Sequence, residues 1–393
     1  MHVDPGGGRL RGSVNEPCLV GVGMTSFGRH EGRSPLDLMA DAARLALEDA
    51  RLQRRDIDGL LCGYATTLPH LMLSTLFAER FGLRPSYGHA VQLGGATGAA
   101  MVMLARELVL SGRCRHVLVV AGENRLTGQT RDEAMTTLAQ VGETDYEVPH
   151  GASVPAYYAL LASRYMHECG VTSADLAEFP VLMRSHAARH PGAHMRQPIS
   201  VGEVLASRPI STPLRMLDCC PISDGGAAMV VAAEPADGPP VAIAGAGQAH
   251  RHQHLTAMAD ILATGAVESA RCALDDARVS VSDIDYLGIY DSFSITLTML
   301  LEEIGFAPRG QAAARARDGA FSTGGTLPLN THGGLLSYGH CGVAGGMAHI
   351  VEAVTQLRGS AGARQLRQPA HAFVHADGGV LSSHVSLVLA RRA

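Results

Sequence analysis

The sequence predicts an α/β fold that consists of two duplicated halves, and three observations support this prediction. Residues 43–60 and residues 270–287 read ARLALEDARLQRRDIDGL and ARCALDDARVSVSDIDYL, so that eleven of eighteen aligned positions are identical. In each copy, a helix with one small, apolar face leads through an Asp-Ile-Asp turn into an apolar run that is typical of a strand. Each half also contains a glycine-rich turn that opens a helix-like segment. The copies lie too far apart for a solenoid repeat, so duplication of a whole half is favoured.

The first half alternates between strands and helices, and we predict the bounds 17–122 for it. Residues 1–16 contain no apolar signal segment and are predicted to be a disordered leader. The predicted elements are, in order, a strand at 18–22, the helix and strand of the first repeat copy, a helix at 72–81, a helix that begins at the GGATG run of 94–98, and a strand at 116–121.

A less regular segment separates the two halves. Residues 123–233 are predicted to form an inserted loop domain that ends in a return strand, and residues 234–393 form the C-terminal half after a proline-rich linker at 235–240. The elements predicted for this half are, in order, a strand at 241–246, the second repeat copy with its helix at 265–279 and strand at 286–290, a helix after it, a helix that begins at the GHCGVAGG run of 339–346, and strands at 372–375 and 385–389.

The two glycine-rich turns indicate where a ligand could bind. A helix N-terminus presents free amide groups and the positive end of the helix dipole, which suit an oxyanion or a thioester carbonyl. Glycine is needed where the backbone turns sharply or closely approaches a ligand. Two similar halves that face each other would bring corresponding loops to a single site.

The chain contains no lysine, and this absence excludes several classes of enzyme. Schiff-base aldolase chemistry, anchoring of pyridoxal phosphate and the lysine of a P-loop all require that side chain. A nicotinamide-binding fold is not supported either, because the runs that contain Gly23 and Gly247 lack the complete glycine pattern of a dinucleotide-binding turn.

Charge, hydropathy and cysteine usage limit the partners. The net charge of −5 without a basic cluster argues against nucleic acid, and no apolar run is long enough to span a membrane. The eight cysteines form no CxxC pair, which favours reduced thiols and a cytoplasmic location. His250, His252 and His254 alternate, but no carboxylate or cysteine completes a ligand set, so we predict no metal site.

Two C-terminal motifs add a family resemblance. The runs YDSF at 290–293 and NTHGGLLSYGH at 330–340 resemble the His-Asp-Cys-Phe and Asn-x-x-Gly-Gly…Gly-His motifs of the thiolase superfamily, in its branch of sterol-carrier-protein thiolases and lipid-transfer proteins. The resemblance covers residues 17–391. It implies a thiolase-like fold with αβαβα layers, a coenzyme A thioester as substrate and no covalently bound cofactor. It also implies a homodimer, with a small OB-fold, zinc-ribbon protein as a further partner.

The chain departs from the family at its nucleophile. Thiolases attack with a cysteine in a pattern like Cys-Ala-Thr-Gly, and the matching run here begins at Gly95. Ser292 occupies the position of the second reactive cysteine of this branch, and residues 375–379 read HADGG where other thiolases carry their acid/base cysteine. Thiolysis needs a thiolate to hold the acyl group, so an ordinary thiolase cycle is not expected.

The remaining motif residues supply the candidate site. By resemblance, His340 is the activating and oxyanion-binding histidine. We expect Tyr290 to act as a base with a lowered pKa and Asp291 to orient it. Tyr338 is a weaker candidate, and Cys341 could be an alternative nucleophile because a helix N-terminus and a neighbouring histidine would lower its pKa. The predicted oxyanion-binding or substrate-binding residues are Gly95, Gly379, His332 and His375.

The resemblance implies carbon–carbon bond cleavage or formation by (retro-)aldol chemistry on a lipid or steroid-type acyl-CoA, and the remaining acid/base and oxyanion groups fit this chemistry. Relatives with Gly-Gly-Ala-[Ser/Thr] at the nucleophile turn include steroid side-chain aldolases, which resemble this chain but carry a tyrosine near the position of His340. Two alternatives stay open: an acetyl-CoA acetyltransferase-like acyltransferase that uses Cys341, and a non-catalytic subunit that binds acyl-CoA or lipid.

Overall fold

A computed structural model describes residues 16–151, 153–233 and 240–392 of the chain. The leader predicted at residues 1–16 and the linker predicted at 235–240 lie almost entirely outside the described residues. The first half contains β1 (Cys18–Met24), α1 (Pro35–Ala50), β2 (Gly59–Gly63), α2 (Leu73–Phe81), β3 (Tyr87–Val91), α3 (Thr97–Leu110) and β4 (His116–Asn124).

Short helices and a small hairpin follow, and a return strand leads into the second half. The middle segment contains α4 (Arg131–Ala139), α5 (Val154–Cys169), α6 (Ser173–Leu176), α7 (Glu178–Ala187), α8 (Val201–Ala206), β5 (Pro209–Ser211), β6 (Leu214–Arg215) and β7 (Asp224–Ala232). The second half contains β8 (Val241–His250), α9 (Ala266–Ala277), β9 (Tyr286–Ile289), α10 (Ser294–Ile304), α11 (Ala312–Arg317), α12 (Val343–Leu357), β10 (His371–Gly378) and β11 (Ser383–Arg391).

The sheet topology repeats in the two halves. The main sheet has the strand order β3-β2-β4-β7-β1-β8-β11-β10-β9. In the first half β1 pairs antiparallel with β7, β7 antiparallel with β4, and β4 parallel with β2. The second half repeats this pattern with β8, β11, β10 and β9. The two halves join where β1 and β8 pair antiparallel over a few residues.

Helices cover the strands in layers. Helix α1 packs on β1, β4 and β7, and α9 packs on β8 and β11. Helices α3 and α12 contact each other and strands of both halves, so they form the central layer. Helix α12 is buried along almost its whole length, and its buried polar side chains Glu352 and Gln356 are paired with Arg364 and Thr331. The predicted αβαβα fold class is confirmed. No helix in the described part of the chain is long and apolar enough to cross a membrane.

The aspartates shared by the two repeat copies make equivalent hydrogen bonds. Asp49 and Asp276, in the last turns of α1 and α9, accept amide hydrogen bonds of 2.8 and 3.1 Å from the first strand of their own half. Asp58 and Asp285 accept amide hydrogen bonds from the residues at the starts of β4 and β10. The identical residues therefore attach the helix and the turn to the sheet in the same way in each half.

Glycines in β1 and β8 allow the repeat helices to approach the sheet closely. A Cβ atom on Gly23 would overlap the Ala42 carbonyl oxygen of α1, and a Cβ atom on Gly247 would overlap the Ser269 carbonyl oxygen of α9. Both glycines thus serve helix–strand packing. They lie in the two runs that lack the complete glycine pattern of a dinucleotide-binding turn.

We predict that Gly247→Ala destabilises the protein by about 1–3 kcal/mol or more, because the added methyl group meets backbone atoms that cannot move aside. Chemical denaturation would measure the change. Gly324→Ala is the control, since Gly324 is exposed and nothing lies within 4 Å of the added atom. Equal stability of the two variants would contradict the packing role.

Candidate active site

Three backbone turns meet at the centre of the molecule. Gly346 in the first turn of α12 lies against Gly95, because a Cβ atom on Gly346 would be 2.8 Å from the Gly95 carbonyl oxygen. The turn after β10 meets the same point, since a Cβ atom on Gly94 would be 2.8 Å from the Gly379 amide nitrogen. The N-terminal ends of the equivalent helices α3 and α12 therefore converge with the HADGG turn, and the Gly95 and Gly379 predicted from the sequence lie together.

Tyr290 fills the space beside Gly95. Its side chain follows β9 and is only 4 % exposed. A Cβ atom on Gly95 would overlap the Tyr290 hydroxyl oxygen and the Asp377 carbonyl oxygen. A cysteine side chain at position 95 is therefore incompatible with this position of the tyrosine ring.

A hydrogen bond of 3.0 Å joins the Tyr290 hydroxyl to His340 Nε2. The Gly342 amide donates to His340 Nδ1 at 3.2 Å, so Nδ1 carries no proton and Nε2–H is the donor toward Tyr290. Burial lowers the pKa of His340 to about 3, which keeps the imidazole neutral. The Tyr290 oxygen thus accepts from His340 and retains its own proton for another partner.

The pKa that we predicted for Tyr290 is wrong in direction. Burial raises the pKa of Tyr290 well above its usual value, and the nearby Asp377 carboxylate raises it further. Both effects disfavour the phenolate. Tyr290 is therefore protonated in the resting site, and its hydroxyl is available as a proton donor.

The loop that carries His340 is attached to the end of β9 and to residues 221–223, which directly precede β7. The Asn330 side chain accepts from the Ile289 amide at 2.8 Å and donates to the Ile289 carbonyl at 2.7 Å. The His340 amide donates to the Pro221 carbonyl at 2.9 Å, and the His340 carbonyl accepts from the Ser223 amide at 3.1 Å. These bonds fix the histidine relative to the strand end that carries the tyrosine.

Asp291 supports this loop and not Tyr290, contrary to our prediction. Its buried carboxylate accepts from the Leu335 and Leu336 amides at 2.6 and 3.3 Å. These amides belong to the π-helical turn Gly334–Tyr338, which precedes His340. Burial raises the pKa of the Asp291 carboxyl well above its usual range.

The reactive thiol expected at Cys341 is also contradicted. The side chain is fully buried, and burial raises the pKa of the thiol well above its usual value, with the Glu123 carboxylate as the next cause. Helix α12 begins only at Val343, so Cys341 lies ahead of it. The helix-dipole effect that we expected does not compensate for desolvation.

Tyr338 and His332 pack in the core beside the site. Their ring centroids are 5.4 Å apart, and Tyr338 also packs against Phe27 at 4.7 Å. His349 contacts both His332 and Tyr290, at centroid distances of 4.9 and 6.3 Å. Burial lowers the pKa of His332 well below its usual value. The His349 ring thus connects the packed His332 and Tyr338 rings to Tyr290.

His375 is not available to a ligand, although we predicted it as a binding residue. Its Nδ1 atom lies 2.8 Å from Ser386 Oγ, and its Nε2 atom lies 3.1 Å from His384 Nδ1. Both ring nitrogens are therefore engaged inside the sheet, between β10 and β11, and the imidazole serves the packing of these strands.

Three functional side chains escaped the sequence analysis. Asp377 lies within the quoted HADGG run, and Tyr158 within the insertion; the Tyr158 hydroxyl donates to Asp377 Oδ2 at 3.3 Å. Arg125 belongs to no motif. The positive charge of Arg125 is the second-largest cause of the lowered pKa of His340, behind the burial of the histidine itself. The Nε atom of Arg125 is buried and has no hydrogen-bond partner among the described residues. The only signal in the sequence that could have indicated a role for Asp377 is its position directly before the Gly378-Gly379 turn.

No group of three or more histidine, cysteine, aspartate or glutamate side chains in the described ranges is arranged to hold a metal ion. The groups that meet at this point are the neutral Tyr290–His340 pair, the converging backbone turns and the nearby Arg125. Such groups suit proton transfer and the stabilisation of negative charge on an oxygen atom.

Comparison with known proteins places this site in a family. Residues 247–391 match the family described as Thiolase C-terminal domain-like. The acetyl-CoA acetyltransferase of Methanothermobacter thermautotrophicus is 31 % identical over 93 % of the chain and 97 % of its own length. The 17-hydroxy-3-oxo-4-pregnene-20-carboxyl-CoA lyase of Mycobacterium tuberculosis is 33 % identical over 95 % of the chain and 99 % of its own length.

A solved structure gives the same result. The Ltp2-ChsH2(DUF35) aldolase superposes with a TM-score of 0.83 at 32 % identity, covering 96 % of this chain and 98 % of its own. The chain therefore belongs to the thiolase superfamily, in the branch that includes the sterol-carrier-protein thiolases and the steroid side-chain aldolases.

We predict that Gly95→Ala is destabilising because of its clash with Tyr290, and that the penalty falls when Tyr290 is replaced by alanine. A double-mutant cycle on the free energy of unfolding should give a coupling of about 0.5–3 kcal/mol between the two positions. The same cost of Gly95→Ala in both backgrounds would show that the ring does not occupy this space.

Proposed function

We propose that the protein cleaves or forms a carbon–carbon bond of an acyl-CoA thioester by (retro-)aldol chemistry, without a covalent acyl-enzyme. One observation carries the proposal: the Tyr290 ring lies where the side chain of a nucleophile at position 95 would have to lie. The fully buried Cys341, whose thiol pKa is raised, offers no replacement. The acyltransferase alternative thus lacks its thiolate.

The proposed cleavage begins with loss of the proton of a β-hydroxyl group on the substrate. The Cα–Cβ bond then breaks, Cβ becomes a carbonyl carbon, and the electron pair passes to the thioester enolate. The Gly95 and Gly379 amides at the converging turns, with the positive charge of Arg125 nearby, stabilise the enolate oxygen. Tyr290 donates its proton to Cα, and the Nε2–H group of His340 stabilises the phenolate that results.

The names of the relatives support the substrate class. The Mycobacterium tuberculosis relative is a lyase of a pregnene carboxyl-CoA, and the superposed structure is an aldolase. We therefore infer a lipid or steroid-type acyl chain, with cleavage as the direction. No cofactor is needed for this reaction, because the thioester itself stabilises the carbanion.

We also propose that the protein is a homodimer that associates with a small OB-fold, zinc-ribbon partner. Strand β3 (Tyr87–Val91) is an edge strand with exposed residues, and Leu71 beside α2 is 97 % exposed. An uncovered strand edge with exposed apolar side chains favours association. The superposed aldolase is a two-component Ltp2-ChsH2(DUF35) protein, which supports a partner of that type.

We predict a homodimer mass for the purified chain, which light scattering after size exclusion would measure. Leu71→Asp should shift the mass toward the monomer, because the charge would be buried in the interface. Tyr146→Asp, at another exposed position (71 %), is the control. A monomer for the unmodified chain would contradict the proposed homodimer.

We predict that Tyr290→Phe lowers the rate of cleavage of a β-hydroxyacyl-CoA by about 10²–10⁴-fold, because the proton donor is lost. Mass spectrometry of the acyl-CoA and carbonyl products would measure it. Cys341→Ala is the control and should keep its rate, and a thiol alkylator should not inactivate the protein. Inactivation that depends on Cys341 would rule out the proposed chemistry.

A further inference from the structure

The Asp377 carboxylate is incompletely paired: the Tyr158 hydroxyl and the Leu381 backbone lower its pKa, but one of its oxygens lacks a hydrogen bond. It lies at the end of β10 and is 1 % exposed. The Tyr158 hydroxyl donates to its Oδ2 atom at 3.3 Å, whereas its Oδ1 atom is buried without a hydrogen-bond partner among the described residues. A buried carboxylate oxygen without a hydrogen bond is energetically costly. Its presence in this structure indicates that a ligand supplies the missing hydrogen-bond donor.

The position of Asp377 makes the bound substrate that partner. Its main-chain oxygen and the Tyr290 hydroxyl both lie against the point where a Cβ atom of Gly95 would be. After burial, the Asp377 carboxylate is also the largest cause of the raised pKa of Tyr290. The Asp377 backbone and the Tyr290 side chain therefore meet beside Gly95, at the N-terminus of α3.

Tyr158 is well placed to hold this carboxylate. It comes from α5, its ring stacks on Phe293 with a centroid distance of 4.4 Å, and its side chain is 2 % exposed. Its hydroxyl is also 3.4 Å from the Gly379 carbonyl oxygen. The insertion thus reaches into the site through a rigid aromatic side chain, which fixes the direction of the unpaired oxygen.

We propose that Asp377 is a second proton-transfer residue of the site, with Tyr158 as its positioning residue; this rests on the proposed (retro-)aldol function. The Asp377 carboxylate takes the proton of the β-hydroxyl group as the Cα–Cβ bond breaks. Tyr290 donates its proton to Cα of the resulting enolate. The proton on Asp377 then returns to the Tyr290 phenolate through solvent, so the cycle needs no oxidant, reductant or co-reactant.

The protonation states agree with this division of roles. Burial raises the pKa of Asp377 to about 7, so this group ionises near neutral pH, which suits a general base. The titratable groups that face it are Tyr158 from α5 and Tyr290 after β9, and burial raises the pKa of both well above the usual value. Asp377 is therefore the one of these three groups that can ionise near neutral pH.

The test is the pH dependence of kcat/KM for cleavage of a β-hydroxyacyl-CoA by Asp377→Asn, Tyr158→Phe and the unmodified protein. Because the base must be ionised, kcat/KM of the unmodified protein should rise with pH through about 7. Asp377→Asn should lose this rise and about 10²–10⁴-fold in kcat/KM, while the Kd for the thioester stays within about threefold.

Tyr158→Phe supplies the second, independent readout. The hydrogen bond from the Tyr158 hydroxyl lowers the pKa of Asp377. Without this bond the pKa of Asp377 should increase, so the rise in kcat/KM should move to higher pH. Tyr165→Phe is the matched control, because Tyr165 lies on the same helix and donates to Glu302 at 2.7 Å outside the site. Its pH profile should be unchanged.

The outcomes separate this proposal from the proposed function. If the unmodified protein cleaves the substrate and Asp377→Asn keeps both its rate and its rise near pH 7, Asp377 is not the base, whereas the function stands. If the unmodified protein binds the thioester but never cleaves it, the function itself is wrong. If Asp377→Asn does not fold, the pH profile of Tyr158→Phe decides. A rise in kcat/KM at the same pH as in the unmodified protein would then overturn the proposal.

Discussion

The site depends on the contact between the Gly95 backbone and the Tyr290 ring. A side chain at position 95 would overlap the Tyr290 ring. Tyr290 can therefore occupy this place only because residue 95 is a glycine. The hydrogen bond from His340 then holds the tyrosine oxygen at the helix N-terminus. We propose that the chemistry accordingly shifts from a thiolate that would hold an acyl group to a phenol that exchanges a proton.

The duplicated scaffold explains why this contact is rigid. In each half, aspartates of the repeat attach helix and turn to the sheet, and close glycine contacts bring α1 and α9 onto β1 and β8. The two halves enclose α3 and α12, whose N-terminal ends meet at the site. Because these backbone segments are fixed by the core, the tyrosine, the histidine and the glycine turns keep their relative positions.

Sequence reasoning found the scaffold and the glycine turns, but only part of the chemistry. The repeat and the YDSF and Gly-His motifs indicated the fold, Tyr290 and His340, because these signals are local in the chain. The pKa directions of Tyr290 and Cys341 were wrong because burial outweighs nearby dipoles and is not visible in a motif. Tyr158 was missed because its partner, Asp377, lies more than two hundred residues away.

A single-turnover reaction of a β-hydroxyacyl-CoA in D2O, without free coenzyme A, tests the central claim most directly. A proton-transfer site without an acyl-enzyme should release a carbonyl compound and an acyl-CoA that carries one deuterium at Cα, while the mass of the protein stays unchanged. Cleavage that occurs only after free coenzyme A is added, together with an acyl group on a cysteine, would contradict it.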